Sequence, residues 1–338
     1  MLSILSHPII IGCTLVVGLV LLLKGADWLV CGASNLAKKL QINDLIIGMT
    51  IVAFGTSMPE FVVNIVSVAN HSTDLAITNI LGSNIINTLV IVGISALIYP
   101  CIVQKSLLRL DLPLNIAAGL MVLCCVLFGI PFPSDFQGIS RFGGMLLLLV
   151  FAVFLYFNLR SVSKQPANST PPSVSIRKSI MWIVIGLICL VLGGMMIVKS
   201  ATIIAQRLGV AEAIIGLTIV ALGTSLPELA TSAVAAFKHN SNIAIGNVVG
   251  SNIFNVFFIL GASAIIQPLP AYSGLITDAL LTAVSATCMW VLAVCNKQHI
   301  IHRWVASSCC SSMQLISIIV FVGSNRIHHY LFTNQLIF

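Results

Sequence analysis

One polar passage occurs twice in this chain, at a fixed spacing, inside sequence that is otherwise apolar. GMTIVAFGTSMPE at 48–60 is followed by NILGSNIIN at 79–87. GLTIVALGTSLPE at 216–228 and NVVGSNIFN at 247–255 repeat both blocks 168 residues later, with no insertion or deletion between them. Each copy carries an acid, Glu60 or Glu228, where neighbouring residues suit a lipid-spanning helix. The chain has therefore duplicated a polar site and kept its register.

Composition places that site in a membrane. Of the 338 residues 58% are hydrophobic and 7% charged, and mean hydropathy is +1.09. Apolar segments near 20 residues long in such a chain are bilayer spans. The run at 8–23 lacks a basic leader and a small-residue cleavage site, so it reads as a first span rather than a signal peptide. The cysteines show no C-x-x-C spacing, which predicts free thiols packed as small hydrophobes.

About ten spans are expected, near 8–23, 44–69, 75–99, 112–130 and 142–159, then 181–198, 213–237, 243–266, 275–294 and 313–322. The stretch 161–178, rich in Ser, Pro and Lys, reads as a linker loop. This divides the chain into a first unit at 1–160 with its motif at 48–93, the linker, and a second unit at 179–338 with its motif at 216–261. With the N-terminus outside, twelve of the 16 Lys and Arg fall on the cytoplasmic side. The +7 net charge then belongs to cytoplasmic loops and requires no nucleic-acid partner.

The second motif lies five spans after the first. Like sequences an odd number of spans apart cross the membrane in opposite directions, which predicts two inverted five-helix repeats. The fold expected is thus an all-α polytopic membrane protein. Pro59 and Pro227 fall inside apolar segments and should break their helices at the site. Ser57-x-x-Glu60 and Ser225-x-x-Glu228 fit capping boxes on the half-helices that follow. Capping alone does not require two acids at bilayer depth, where each costs roughly 2.5 kcal/mol or more. Thr56 and Thr224 stand beside them. Asn79, Ser83 and Asn87 share one helical face, as do Asn247, Ser251 and Asn255. Helix–helix packing accounts for the earlier members of each face, while Asn87 and Asn255 lie deeper in apolar sequence.

All these groups offer oxygen, and neither block's core holds an imidazole or thiol. Oxygen ligation suits the hard cations Na⁺ and Ca²⁺. Two carboxylates balance one Ca²⁺ or most of the charge of two or three Na⁺, so one shared site could exchange them. A cation channel would use the same oxygens, and an intramembrane hydrolase would need a base beside Ser57 that the blocks do not supply.

The paired GTS[ML]PE and GSNI[IF]N blocks resemble the two alpha-repeats of the calcium/cation antiporter superfamily, and the short linker is similar to that of bacterial sodium/calcium exchanger-like members. The likeness spans about 19–294. It implies a non-enzymatic antiporter of the inner membrane, a monomer with transported Ca²⁺ and Na⁺ as ligands and no cofactor. It also implies cation ligands at Glu60, Glu228, Thr56, Ser57, Thr224 and Ser225, and at the backbone carbonyls of Ala53 and Ala221. Ser83, Ser251, Asn87 and Asn255 complete the implied set. Some members carry Asp at the position of Asn255, so coupling to K⁺ or H⁺ stays an alternative. The first span of each half, slim at Gly25, Gly32 and Ala33 and at Gly193, Gly194, Ser200 and Ala201, is the expected sliding element.

Overall fold

The computed structural model describes residues 8–129, 136–160, 174–209, 221–296 and 299–301. Helices dominate it: α1 (Pro8–Leu40), α2 (Asp44–Thr56), α3 (Met58–Ala69), α4 (Thr73–Ile98), α5 (Leu107–Phe128) and α6 (Arg141–Arg160) form the first half. The second half holds α7 (Ile176–Arg207), α8 (Ala221–Thr224), α9 (Leu226–Phe237), α10 (Ser241–Ile266) and α11 (Leu275–Cys295). Seven of the described helices are long and apolar enough to cross a bilayer, and the bent pair α2–α3 makes an eighth. The expected span at 213–237 is described only from Ala221, and that at 313–322 lies outside the described residues.

Several boundaries differ from the expected ones. α1 and α7 run for 33 and 32 residues, well beyond 8–23 and 181–198, so Lys24 and Lys199 lie within helices. The linker ends early, because the Ser175 side chain caps α7 by accepting from Lys178 N, and the helix begins at Ile176.

The two long helices continue through their glycines because those glycines meet a partner helix. A Cβ on Gly25 would stand 2.7 Å from Gly186 O, one on Gly193 2.7 Å from Gly18 O, and one on Gly32 2.7 Å from Ser179 O. The pairing makes α1 and α7 antiparallel, with small residues every seventh position admitting backbone contact. Gly25, Gly32 and Gly193 thus face the partner helix and not the core they were expected to cross. Gly194 does turn toward the site, with Gly223 O at 3.9 Å from its Cβ position.

The centre belongs to α4 and α10. Their apolar stretches are 67% and 78% buried, against 22–39% for the other single-helix spans, which face outward. Two short antiparallel strand pairs join the halves. β1 (Cys101–Ile102) pairs with β4 (Ile300–Ile301), and β2 (Gly138–Ile139) with β3 (Leu269–Pro270). Gly138 is required at its strand pair, since its φ is 141° and a Cβ would stand 2.2 Å from Leu269 O. The described cysteines are all free, as expected. Burial pushes the Cys101 thiol up to about 12, so it packs as a neutral group.

Candidate functional site

α2 and α3 would be one span but for a break at Ser57, where φ −83° and ψ 7° leave the helical region and the axis bends by 45°. Pro59 sits in the first turn of α3, where its missing N–H costs nothing. Ser225 repeats the geometry, with φ −86° and ψ 3°, and Pro227 opens α9. Both breaks set an acid on the first turn of the following helix, and both acids are fully buried.

The capping boxes expected here do not form. Neither Ser57 nor Ser225 makes a side-chain cap bond. Each hydroxyl reaches across to the acid of the other copy. Ser57 Oγ donates to Glu228 Oε1 at 2.8 Å, and Ser225 Oγ donates to Glu60 Oε1 at 3.3 Å. The reason is positional: each Ser lies at a break facing the opposite half, where its hydroxyl meets a buried carboxylate and donates a charge-assisted bond to it.

The remaining expected residues gather around this crossed pair. Thr56 Oγ1 donates to Asn247 Oδ1 at 3.0 Å and Thr224 Oγ1 to Asn79 Oδ1 at 3.5 Å, again copy to copy. Asn247 Nδ2 in turn donates to Ser232 Oγ at 3.0 Å and to the Glu228 carbonyl at 3.3 Å. Ser251 Oγ reaches Glu228 Oε1 at 3.5 Å, while Ser83 Oγ is buried with no protein partner. The Ala53 carbonyl accepts from Ser57 N at 3.0 Å and Thr56 Oγ1 at 3.3 Å, and Ala221 begins α8. Asn87 and Asn255 are fully buried on α4 and α10.

At these two asparagines the helices widen into π-type turns, Asn87–Ile91 in α4 and Phe254–Leu260 in α10. Such turns concentrate at functional sites because they re-aim side chains. Apart from Asn79 Nδ2 and Asn115 Nδ2, the unpartnered buried side-chain polar atoms among the described residues are all oxygens. They include Glu60 Oε2, Glu228 Oε2, Asn87 Oδ1, Asn255 Oδ1, Ser83 Oγ and Thr231 Oγ1. Buried oxygens lacking donors carry a desolvation penalty that a cation relieves. His, Cys, Asp and Glu form no group of three or more suited to a metal among the described residues, so this donor set is one of carboxylate, amide and hydroxyl oxygens.

A cavity of about 690 Å³ flanks the site between α1, α3, α7 and the α8–α9 break. Pro59, Gly223, Thr224 and Pro227 line it near the site, and Lys199 and Ile203 line it along α7. Lys238, at the end of α9, pairs with Asp27 of α1 at 2.5 Å. Close in sequence, Asn240 Nδ2 donates to Asp44 Oδ2 at 2.6 Å and to Ser34 Oγ of α1 at 3.2 Å.

Sequence reasoning missed Thr88, Asn64, Ser232, Ser263 and Thr231. Asn64 and Ser232 each lie four residues after an acid, a helical spacing that marks them as sharing its face. Asn64 Oδ1 accepts from Ser263 Oγ at 3.2 Å, which joins α3 to α10. Nothing in the spacing marks Thr88, whose role depends on a partner 164 residues away.

A family model described as sodium/calcium exchanger protein matches residues 10–160 and 178–324, most of the chain and both halves. The chain belongs to the sodium/calcium exchanger family. It is therefore a multi-span membrane antiporter of the calcium/cation superfamily, as the duplicated motifs implied. It is 38% identical over 265 residues to the inner membrane protein YrbG of Escherichia coli, covering 75% of this chain and 79% of that one. With the sodium/calcium exchanger MaX1 of Methanosarcina acetivorans it shares 33% over 295 residues, 75% of this chain and 83% of the relative. The sodium-calcium exchanger NCX_Mj, soaked with 2.5 mM Na⁺ and 1 mM Sr²⁺, superposes with a TM-score of 0.80. That match is at 28% identity and covers 92% of this chain and 98% of NCX_Mj.

Proposed function

We propose that this exchanger couples Na⁺ to Ca²⁺ at one shared site near the bilayer midplane, by alternating access. The observation that carries the reading is the crossed pair: each buried acid is bonded by the serine of the other copy, with Oε2 of both left unpartnered. Glu60 and Glu228 supply the charge. Thr56, Ser57, Thr224, Ser225, Ser83, Ser251, Asn87, Asn255 and the carbonyls of Ala53 and Ala221 supply neutral oxygen. Such a set coordinates Ca²⁺ at roughly 2.3–2.6 Å, and the same oxygens take Na⁺ when Ca²⁺ leaves. The transported ions are the ligands, and no cofactor enters.

The architecture that serves this is ten spans in two inverted five-helix repeats, 1–160 and 179–338 on either side of the linker. Antiparallel packing of α1 on α7, equivalent helices of the two halves, supports the inversion. So do the reciprocal bonds at the helix breaks. The protein resides in the inner membrane with its N-terminus outside, as the charge asymmetry favours.

Purified protein in sealed vesicles tests the coupling. Ca²⁺ uptake should follow an outward Na⁺ gradient and fail with K⁺ or H⁺ gradients of equal size. Uptake driven by K⁺ or H⁺ alone would replace Na⁺ as the coupling ion, and uptake without any counter-gradient would point to a channel.

A further inference from the structure

Between the two helix pairs of the site lies a chain of asparagines whose bonds have a direction. An Asn amide presents an oxygen on one side and an NH₂ of nearly the same shape on the other, so a cation site that uses Asn must control which end faces the ion. Asn84 Nδ2 donates to the backbone carbonyl of Asn252 at 3.0 Å. A carbonyl only accepts, so the orientation of Asn84 is settled and its Oδ1 must be an acceptor. That oxygen takes Asn255 Nδ2 at 3.0 Å, which leaves Asn255 Oδ1 as the end without a protein partner.

The other arm runs with the halves exchanged, its anchor a hydroxyl in place of a carbonyl. Asn252 Nδ2 donates to Thr88 Oγ1 at 2.8 Å, and Asn252 Oδ1 accepts from Asn87 Nδ2 at 3.1 Å. Asn87 Oδ1 is then the unpartnered end. All four asparagines are at most 1% exposed, so water does not offer an alternative partner to either amide. Each orienting Asn belongs to the opposite half from the Asn it orients. With Asn84 fixed by the Asn252 carbonyl, Asn255 can bond the Asn84 Oδ1 only through Nδ2. The observed directions leave two oxygens unpartnered, as are the carboxylate oxygens Glu60 Oε2 and Glu228 Oε2.

We propose that Asn84 and Asn252 are positioning residues that hold the amides of Asn255 and Asn87 with oxygen toward the transported cation. The proposal rests on the shared site described above. Without its partner an amide samples the flipped orientation, in which NH₂ repels the ion. Thr88 closes the second arm by accepting from Asn252, a role its equivalent Val256 cannot take, and the first arm closes on the Asn252 carbonyl instead.

The test is a double-mutant cycle read as Ca²⁺ affinity by calorimetry on purified full-length protein in Na⁺-free buffer. Asn84→Leu should weaken Ca²⁺ binding by about tenfold, the cost of one misdirected buried polar group. In an Asn255→Asp background the same Asn84→Leu change should add less than about twofold, because a carboxylate has two equivalent oxygens and needs no orienting. A loss that carries through undiminished in that background would make Asn84 a structural contact and overturn the proposal. Unchanged affinity in Asn84→Leu alone would overturn it too. Should Asn84→Leu fail to give monodisperse protein, Asn252→Leu with Asn87→Asp runs the same cycle on the other arm. Glu60→Gln separates the two readings. Its binding should be lost. Retained binding there would overturn the shared site and this proposal together, whereas lost binding with an undiminished cycle would overturn the positioning role only.

Discussion

The middle of this exchanger and its ends obey different rules. At the centre the main bonds between the copies are reciprocal: Ser57 on Glu228 is matched by Ser225 on Glu60, and Thr56 on Asn247 by Thr224 on Asn79. At the ends the match fails. Asp27 of α1 pairs with Lys238 at the foot of α9, yet the positions 168 residues away are Met195 and Asn70. A site that holds one ion set must present the same chemistry whichever side is open, so its two contributions stay alike. The ends need not match, and a difference between them sets which side the protein prefers to close.

The largest effect should come from breaking the equality at the centre. Glu60→Gln and Glu228→Gln each remove half the site's charge, and losing one partner of a buried ion pair costs roughly 3–5 kcal/mol, more than about 100-fold. Both variants should insert normally and show no Ca²⁺ exchange in vesicles. Glu228 Oε1 takes bonds from Ser57 and Ser251 and Glu60 Oε1 takes one from Ser225, so the two acids are not held alike. If either variant exchanged at the wild-type rate, the two copies would not be contributing to one ion.

A lock at the unequal end comes next. In the alternating access proposed above, α1 and α7 are the elements expected to slide against the site helices, and Ser34 of α1 touches Asn240 at 3.2 Å. With native cysteines replaced, Ser34→Cys and Asn240→Cys joined by oxidation should stop exchange, leave Ca²⁺ binding intact and recover on reduction. Asn240 caps α10 by accepting from Ile243 N at 3.1 Å, so this lock ties α1 to the start of a site helix. Full exchange in the oxidised protein would rule out movement of α1 there.

Asn255→Asp sharpens the comparison from within the site. It adds a carboxylate to one copy and leaves Asn87 neutral in the other, and a buried carboxylate must share its place with a proton or a further cation. Ca²⁺ exchange should become dependent on pH between about 6 and 8 or on the cation present. Identical ion dependence to wild type across that range would return Asn255 to helix packing.

How much of this was legible beforehand follows the same division. The duplicated blocks named the acids, the threonines, the serines and the deep asparagines, because residue type and fixed offset survive in sequence. The partners of those residues were not legible. Ser57 and Ser225 read as caps since the S-x-x-E spacing is local, whereas their real acceptors lie 171 and 165 residues away. The π-type turns at Asn87 and Asn255 leave no composition signal, and Thr88 gains its role from Asn252 alone. The lengths of α1 and α7 were misjudged because Lys24 and Lys199 suggested loops, while glycine contacts across the helix pair carry both helices past them.

The smallest effect should come from the ion pair itself. Asp27 and Lys238 are 41% and 33% exposed, and a pair that open contributes roughly 0.2–1 kcal/mol, a shift of about 1.5- to 5-fold in an equilibrium. Lys238 also contacts Cys31 Sγ at 2.7 Å, so that thiol reports on the pair. Asp27→Asn should leave Ca²⁺ affinity at equilibrium alone, since neither residue reaches the site. It should raise the rate at which Cys31 reacts with a small maleimide by a few-fold, and shift the apparent Ca²⁺ dependence on the two sides of the vesicle in opposite directions. Placing an acid at the equivalent position, Met195→Asp, together with Asn70→Lys, should pull that shift back toward wild type by giving the other end a matching pair. Were Asp27→Asn to change both sides equally, the pair would be stabilising the fold rather than choosing between its two closed ends, and the contrast between centre and ends would lose its functional meaning.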